Sequence, residues 1–148
     1  MTPTVAVSIA VDTAYIASLS TDGFITHGVY MFDNMLAAGS SNEGKLSLRT
    51  KCNAGSLIGF HSVPIDGEGS SGDQVVITSF VTVSGNVFTG ACHPIQEPPF
   101  PNQPAGSYWI GQAIAAGTER FTIQVKVTTG ILQPVVYYVS WDASITAT

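Results

Sequence analysis

Side chains able to do chemistry are few in this sequence and widely spaced. Cys92-His93 sets a thiol beside a base, the pair that a nucleophilic cysteine needs. Adjacent residues of an extended chain point to opposite sides, however, so these two are not expected to face each other. A partner such as His27 or His61 would have to come from another strand. Cys52 continues the inward set of Leu46, Leu48 and Thr50 and reads as a small core residue. No Gly-x-Ser-x-Gly elbow occurs, which removes the usual serine-hydrolase arrangement. His27, His61 and His93 are singletons without the paired spacing of a zinc site. A blue-copper centre is missing its methionine, because none follows Met35. Asp66, Glu68 and Asp73 share a Gly-rich loop and could converge on calcium, although such loops are more often solvated turns. The expectation is a chain with no catalytic residue, no cofactor and no resident metal.

Binding chemistry has better candidates. Tyr108-Trp109 follows Gly106-Ser107, and in a strand one of the two rings must face outward. An exposed ring beside polar loops suits the stacking of a pyranose face, and it also suits ordinary protein contacts. Asp33, Asn34 and Glu43 add carboxylate and amide groups of the kind that bind sugar hydroxyls. The commoner use of such residues is to cap strand ends and form turns. Lys45, Arg49 and Lys51 alternate along one candidate strand. They read either as a patch for an anionic partner or, more simply, as edge protection against strand-to-strand aggregation.

The elements that must position these residues are strands. Val5, Val7, Ile9 and Val11 alternate with small or polar residues, as do Leu46–Thr50 and Phe121–Val127. Less regular strand candidates are His27–Phe32, Leu57–Val63, Val75–Val83, Tyr108–Ala113 and Val135–Trp141. Thr13–Ser20 is the best helix candidate. Asn53-Ala54-Gly55, Gly85-Asn86 and Gly130 read as tight links between strands. Three longer loops, Asp33–Gly44, Ile65–Gln74 and Gly90–Gly106, stand where sandwiches carry function. The last packs five prolines between Pro94 and Pro104, so it is stiff and cannot pair as a central strand. Together these signals predict one all-β domain over residues 1–148, a single antiparallel β-sandwich (jelly-roll or immunoglobulin-like) of about eight strands.

Composition limits the partners. Charged residues make up 10% of the 148, against a usual share of about 25%. The net charge of −5 repels phosphate backbones, so nucleic acid is not an expected partner. No apolar run approaches the roughly 20 residues of a membrane span, and the N-terminus lacks the basic and apolar regions of a signal peptide. A cytoplasmic protein is the default expectation, with release by a route that needs no signal peptide left open. The two cysteines do not make a disulfide framework and read as reduced thiols, with a bridge closing a long loop as the alternative.

Several stretches have a family look. Val29-Tyr30-Met31-Phe32-Asp33-Asn34, Ser41-Asn42-Glu43-Gly44-Lys45-Leu46 and Gly55-Ser56-Leu57-Ile58-Gly59-Phe60 are among them. So are Val63-Pro64-Ile65, Tyr108-Trp109-Ile110-Gly111-Gln112-Ala113 and the ending Pro134–Asp142. In these words the chain resembles the bacterial inclusion-body proteins of the PixA/AidA type. The resemblance implies a non-enzymatic, self-associating bacterial protein under quorum-sensing control and linked to host interaction, some relatives forming cytoplasmic crystalline inclusions. It transfers no site residues. The family's namesake is rich in methionine and this chain has three, so a methionine-based role does not carry over. The alternative expectation is a lectin-like carbohydrate-binding module, with or without calcium, that meets a glycan or host-surface ligand.

Overall fold

A computed structural model describes residues 2–65, 72–130 and 132–148. The described residues form ten strands and one short α-helix. In chain order these are β1 (Val5–Val11), α1 (Thr13–Leu19), β2 (Gly23–Phe24), β3 (Val29–Asp33), β4 (Arg49–Cys52) and β5 (Leu57–Pro64). Then come β6 (Gln74–Ser84), β7 (Ile95–Gln96), β8 (Tyr108–Gln112), β9 (Gly117–Thr129) and β10 (Val135–Ala147). The helix starts where Asp12 caps it, its Oδ1 accepting the Tyr15 N–H at 3.0 Å. It stops at Ser20, which turns into the left-handed region at φ 53°. No helix among the described residues is long and apolar enough to cross a membrane.

Two sheets share one core. The first has the order β3-β1-β5-β8-β7, and the second β2-β10-β9-β6, with β4 pairing the far end of β10. Alternation decides which residues meet between them: Val5, Val7, Ile9 and Val11 of β1 are buried and face Phe121, Ile123, Val125 and Val127 of β9 across the core. Phe60 of β5 packs on Phe80 of β6 at 4.8 Å and on Phe121 at 6.1 Å. Trp141 of β10 is fully buried and donates its indole N–H to the Met31 sulfur of β3 at 3.2 Å, tying one sheet to the other. Glu119 is fully buried as well. Its Oε1 accepts the Phe88 N–H at 2.9 Å and its Oε2 accepts the Thr82 hydroxyl at 3.0 Å.

The expected single antiparallel sandwich is overturned. β1 pairs with β5 in parallel over seven residues, and both β2 and β4 run parallel to β10. Both sheets are therefore mixed. Parallel neighbours need a crossover of a dozen or more residues, which the segment carrying α1 and β2–β4 supplies between β1 and β5. Two expected hairpins dissolve for the same reason. Asn53-Ala54-Gly55 carries the chain from β4 in the second sheet to β5 in the first. At Gly85 the chain leaves the sheet, with φ +90° and so close to β9 that a Cβ would strike the Thr118 carbonyl oxygen. Only the Gly130 turn joins neighbours, β9 to β10, as an antiparallel pair. The proline-rich segment gives just two residues to a strand, β7, which pairs β8 at the edge of the first sheet and not in a central position.

Candidate functional site

The outward residues of the first sheet make the most distinctive surface. Register places Phe32, Ser8, His61 and Tyr108 side by side in one row across β3, β1, β5 and β8. The next rows hold Ala6 beside Gly59, and Tyr30 beside Ala10 and Val63. Small residues thus form a floor, with aromatic rings standing at either side. None of the outward strand positions on this face is charged. A cleft of about 450 Å³ lies over Ala6, Ser8 and Gly59 and is walled by His61, Phe100 and Tyr108. Phe32 and Tyr30 stand beyond it on the edge strand and are exposed.

The wall is an aromatic stack. The Phe100 ring lies 4.5 Å from Tyr108 and 4.8 Å, edge-on, from His61. Prolines on both sides of Phe100 fix the chain that presents it. Gly59 lets the stack lie flat, because a Cβ there would come within 3.0 Å of both the Tyr108 hydroxyl and Pro3. His61 Nε2 is shut off from solvent and has no hydrogen-bond partner among the described residues. Burial pushes its pKa below the usual histidine range, which favours the neutral ring. The Tyr108 phenol is pushed up, by burial first and by the Glu97 carboxylate second.

The five residues predicted to bind are not gathered into one place. Tyr108 is the outward ring of its pair and lines the cleft. Trp109 points inward, 5.5 Å from Phe80, with its N–H donated to the Gly106 carbonyl at 2.9 Å. Asp33 holds its own loop together: Oδ1 accepts the Met35 N–H at 2.9 Å and Oδ2 accepts the Thr50 hydroxyl at 2.8 Å. Glu43 accepts the Asp33 N–H at 2.8 Å through Oε1, while its Oε2 is buried without a partner among the described residues. Burial, and then the charge of Asp33, raise the Glu43 pKa. Asn34 clasps β1 by accepting the Ala6 N–H at 2.9 Å and donating to the Thr4 carbonyl at 3.1 Å. These three side chains do the work of strand-end ties.

Other candidates are also placed. Asp66 and Glu68 lie outside the described residues. Asp73 spends both oxygens on structure, accepting from the Thr13 hydroxyl and from the Gly130 N–H. Among the described residues no three His, Cys, Asp or Glu side chains cluster as metal ligands. Both cysteines are free thiols. Cys52 is buried, and burial followed by the Asp33 charge raises its pKa. The Cys92 thiol points to Gln112 Oε1 at 3.8 Å, whereas His93 donates Nε2–H to the Phe80 carbonyl at 2.7 Å, so the adjacent pair diverges. Sequence reading missed His61, Phe100 and Ser8 as neighbours. The available signal was the uniform smallness of Ala6, Ser8 and Ala10 on the outward side of β1, which leaves room for a cleft.

A family model described as a domain of unknown function (DUF8788) matches residues 3–131. The chain belongs to the DUF8788 family. No curated protein matches its sequence. The DUF8788 chain is similar in structure to the crystal structure of the inclusion body protein PixA from Burkholderia cenocepacia J2315, with a TM-score of 0.77. The two are 20% identical, over 97% of this chain and 94% of that one. At such identity the likeness is one of fold. It gives the PixA side of the resemblance read from the sequence a structural counterpart, while the family shown is DUF8788.

Proposed function

We propose that this protein is a non-enzymatic bacterial domain that assembles with copies of itself, as inclusion-body proteins do. The carrying observation is the outer face of the first sheet, where an ordered surface with no charged strand residue displays Tyr30, Phe32 and Phe100 to solvent. Low charge removes the repulsion that normally keeps protein surfaces apart, and exposed rings contribute apolar area when two such faces meet. Likeness in fold to an inclusion body protein supports the same reading. The non-enzymatic part is supported by the divergent engagement of Cys92 and His93. Quorum-sensing control and a role toward a host rest on the sequence resemblance alone. Light scattering over a concentration series tests the proposal. A defined oligomer is the expected result, and a monomer at every concentration refutes it.

A lectin-like reading is favoured by one observation, the Phe100–Tyr108 wall over a cleft with the Ser8 hydroxyl at its floor. In this form the sugar platform is Tyr108 rather than Trp109, and Asp33, Asn34 and Glu43 stay outside it. A glycan array probed with the protein and with Tyr108→Ala decides it: binding that the variant loses supports a lectin, and no signal from either removes it.

A further inference from the structure

The chain has two arginines, 71 positions apart in sequence, and the fold brings both to the same depression. Arg49 on β4 and Arg120 on β9 each pair with Ser144 of β10, one from either side. Their Cα atoms are therefore two strand spacings apart, roughly 10 Å. Both side chains stand on the outer face of the second sheet, over a cavity of about 300 Å³ with Ser144 at its floor.

The two guanidinium groups are prepared differently. Arg120 is held by Asp142, whose Oδ2 accepts from Nε at 3.1 Å and from Nη2 at 2.6 Å. The other Asp142 oxygen accepts the Thr122 hydroxyl at 2.6 Å, so this carboxylate is fully used in aiming the arginine. No hydrogen bond engages Nη1 of Arg120 among the described residues, and the side chain is 59% exposed. Arg49 has no acidic partner among the described residues, where Arg120–Asp142 is the only ion pair. Lys45, Lys51 and Lys126 are likewise without an ion pair among the described residues, but of these four cations only Arg49 lines the depression.

We infer that Arg49, Arg120 and Ser144 form a binding site for a tetrahedral oxyanion, a phosphate or sulfate group. Guanidinium forks pair with such oxygens through two parallel hydrogen bonds. Three donor-bearing side chains line the one depression, the two arginines on the strands that flank Ser144 of β10. A tetrahedral group can offer an oxygen to each, whereas a planar carboxylate has only two. The same chemistry is carried by the free inorganic ion and by a phosphate or sulfate ester of a larger molecule.

The test is a titration followed by amide NMR at constant ionic strength. Sodium phosphate and sodium sulfate form one arm, and glucose 6-phosphate and glucose 6-sulfate the other. Saturable shifts centred on Arg49, Arg120 and Ser144 are expected in at least one arm, and which arm binds more tightly identifies the source. Arg49→Ala and Arg120→Ala should each weaken binding tenfold or more. Arg49→Lys should weaken it less, because the charge stays and the fork is lost. Arg49 is exposed, so its variants keep the wild-type spectrum elsewhere. Equal shifts from sodium chloride, equal binding by the alanine variants, or no saturation in either arm overturns the assignment.

Discussion

Glu119 is the place where a single atom change separates two accounts of this fold. The carboxylate is fully buried, has no ion-pair partner among the described residues, and holds the Phe88 N–H and the Thr82 hydroxyl. It thereby fastens the segment after β6 to the start of β9. In Glu119→Gln the amide oxygen still accepts from Phe88, and the Thr82 hydroxyl can accept from the new NH2. Stability should then change by less than about 1 kcal/mol. In Glu119→Ala the buried Phe88 N–H loses its acceptor, which costs about 1–3 kcal/mol, and the lost methylenes leave a small void that adds to it. Thr82 is exposed and water can take over its hydroxyl. The total for alanine is about 2–4 kcal/mol, a drop in Tm on the order of 10 °C. Urea unfolding read by tryptophan fluorescence measures both, with the fully buried Trp141 as reporter. If alanine is as stable as glutamine, the carboxylate is not what holds Phe88, and the reasoning fails.

Other perturbations have equally definite outcomes. Because burial lowers the His61 pKa from 6.5, the unfolded chain takes up that proton first as pH falls. Stability from this group is complete above about 6.5 and is lost below it; His61→Gln should flatten the pH dependence of Tm in that window, and an unchanged profile contradicts the assignment. Thiol titration of the native protein should modify Cys92 quickly and Cys52 only after denaturant is added, since Cys52 is buried with a raised pKa; equal rates would refute that placement. Gly59→Ala should lift Tyr108 and Pro3 off the sheet, visible as shifted aromatic NMR signals of Tyr108 and Phe100; an unchanged spectrum would mean the stack does not rest on Gly59.

Sequence patterning carried most of the strands, but of the expected Leu46–Thr50 strand only Arg49 and Thr50 lie in β4, while Leu46 and Ser47 are in a turn. Val5–Val11 occupies the expected span, and the helix at Thr13–Leu19 ends one residue early. Direction and sheet membership were not legible. Period-two alternation states which face a residue takes but is the same for parallel and antiparallel neighbours, so the β1–β5 pairing left no mark. The short link at Asn53-Ala54-Gly55 looks like a hairpin because its turn chemistry is local, while the change of sheet depends on where β10 lies. The site divided along the same line. Tyr108 was readable as an outward ring, yet its partners His61 and Phe100 come from β5 and the proline-rich segment, brought together only by the register. Asp33, Asn34 and Glu43 looked like ligands because hydrogen-bonding groups look alike in sequence whether they meet a sugar or their own backbone.

Self-assembly through the outer face of the first sheet is most directly tested by sedimentation of the wild type beside Phe32→Asp. Phe32 is 49% exposed, so docking of a second copy would bury about 100 Å² of its ring. At about 25 cal/mol per Å² that contributes about 2.5 kcal/mol, close to two orders of magnitude in the association constant. The account predicts concentration-dependent association that the aspartate weakens by at least that factor, with the fold unchanged by circular dichroism. Association of equal strength in both proteins, or a wild type that sediments as a monomer throughout, would contradict it.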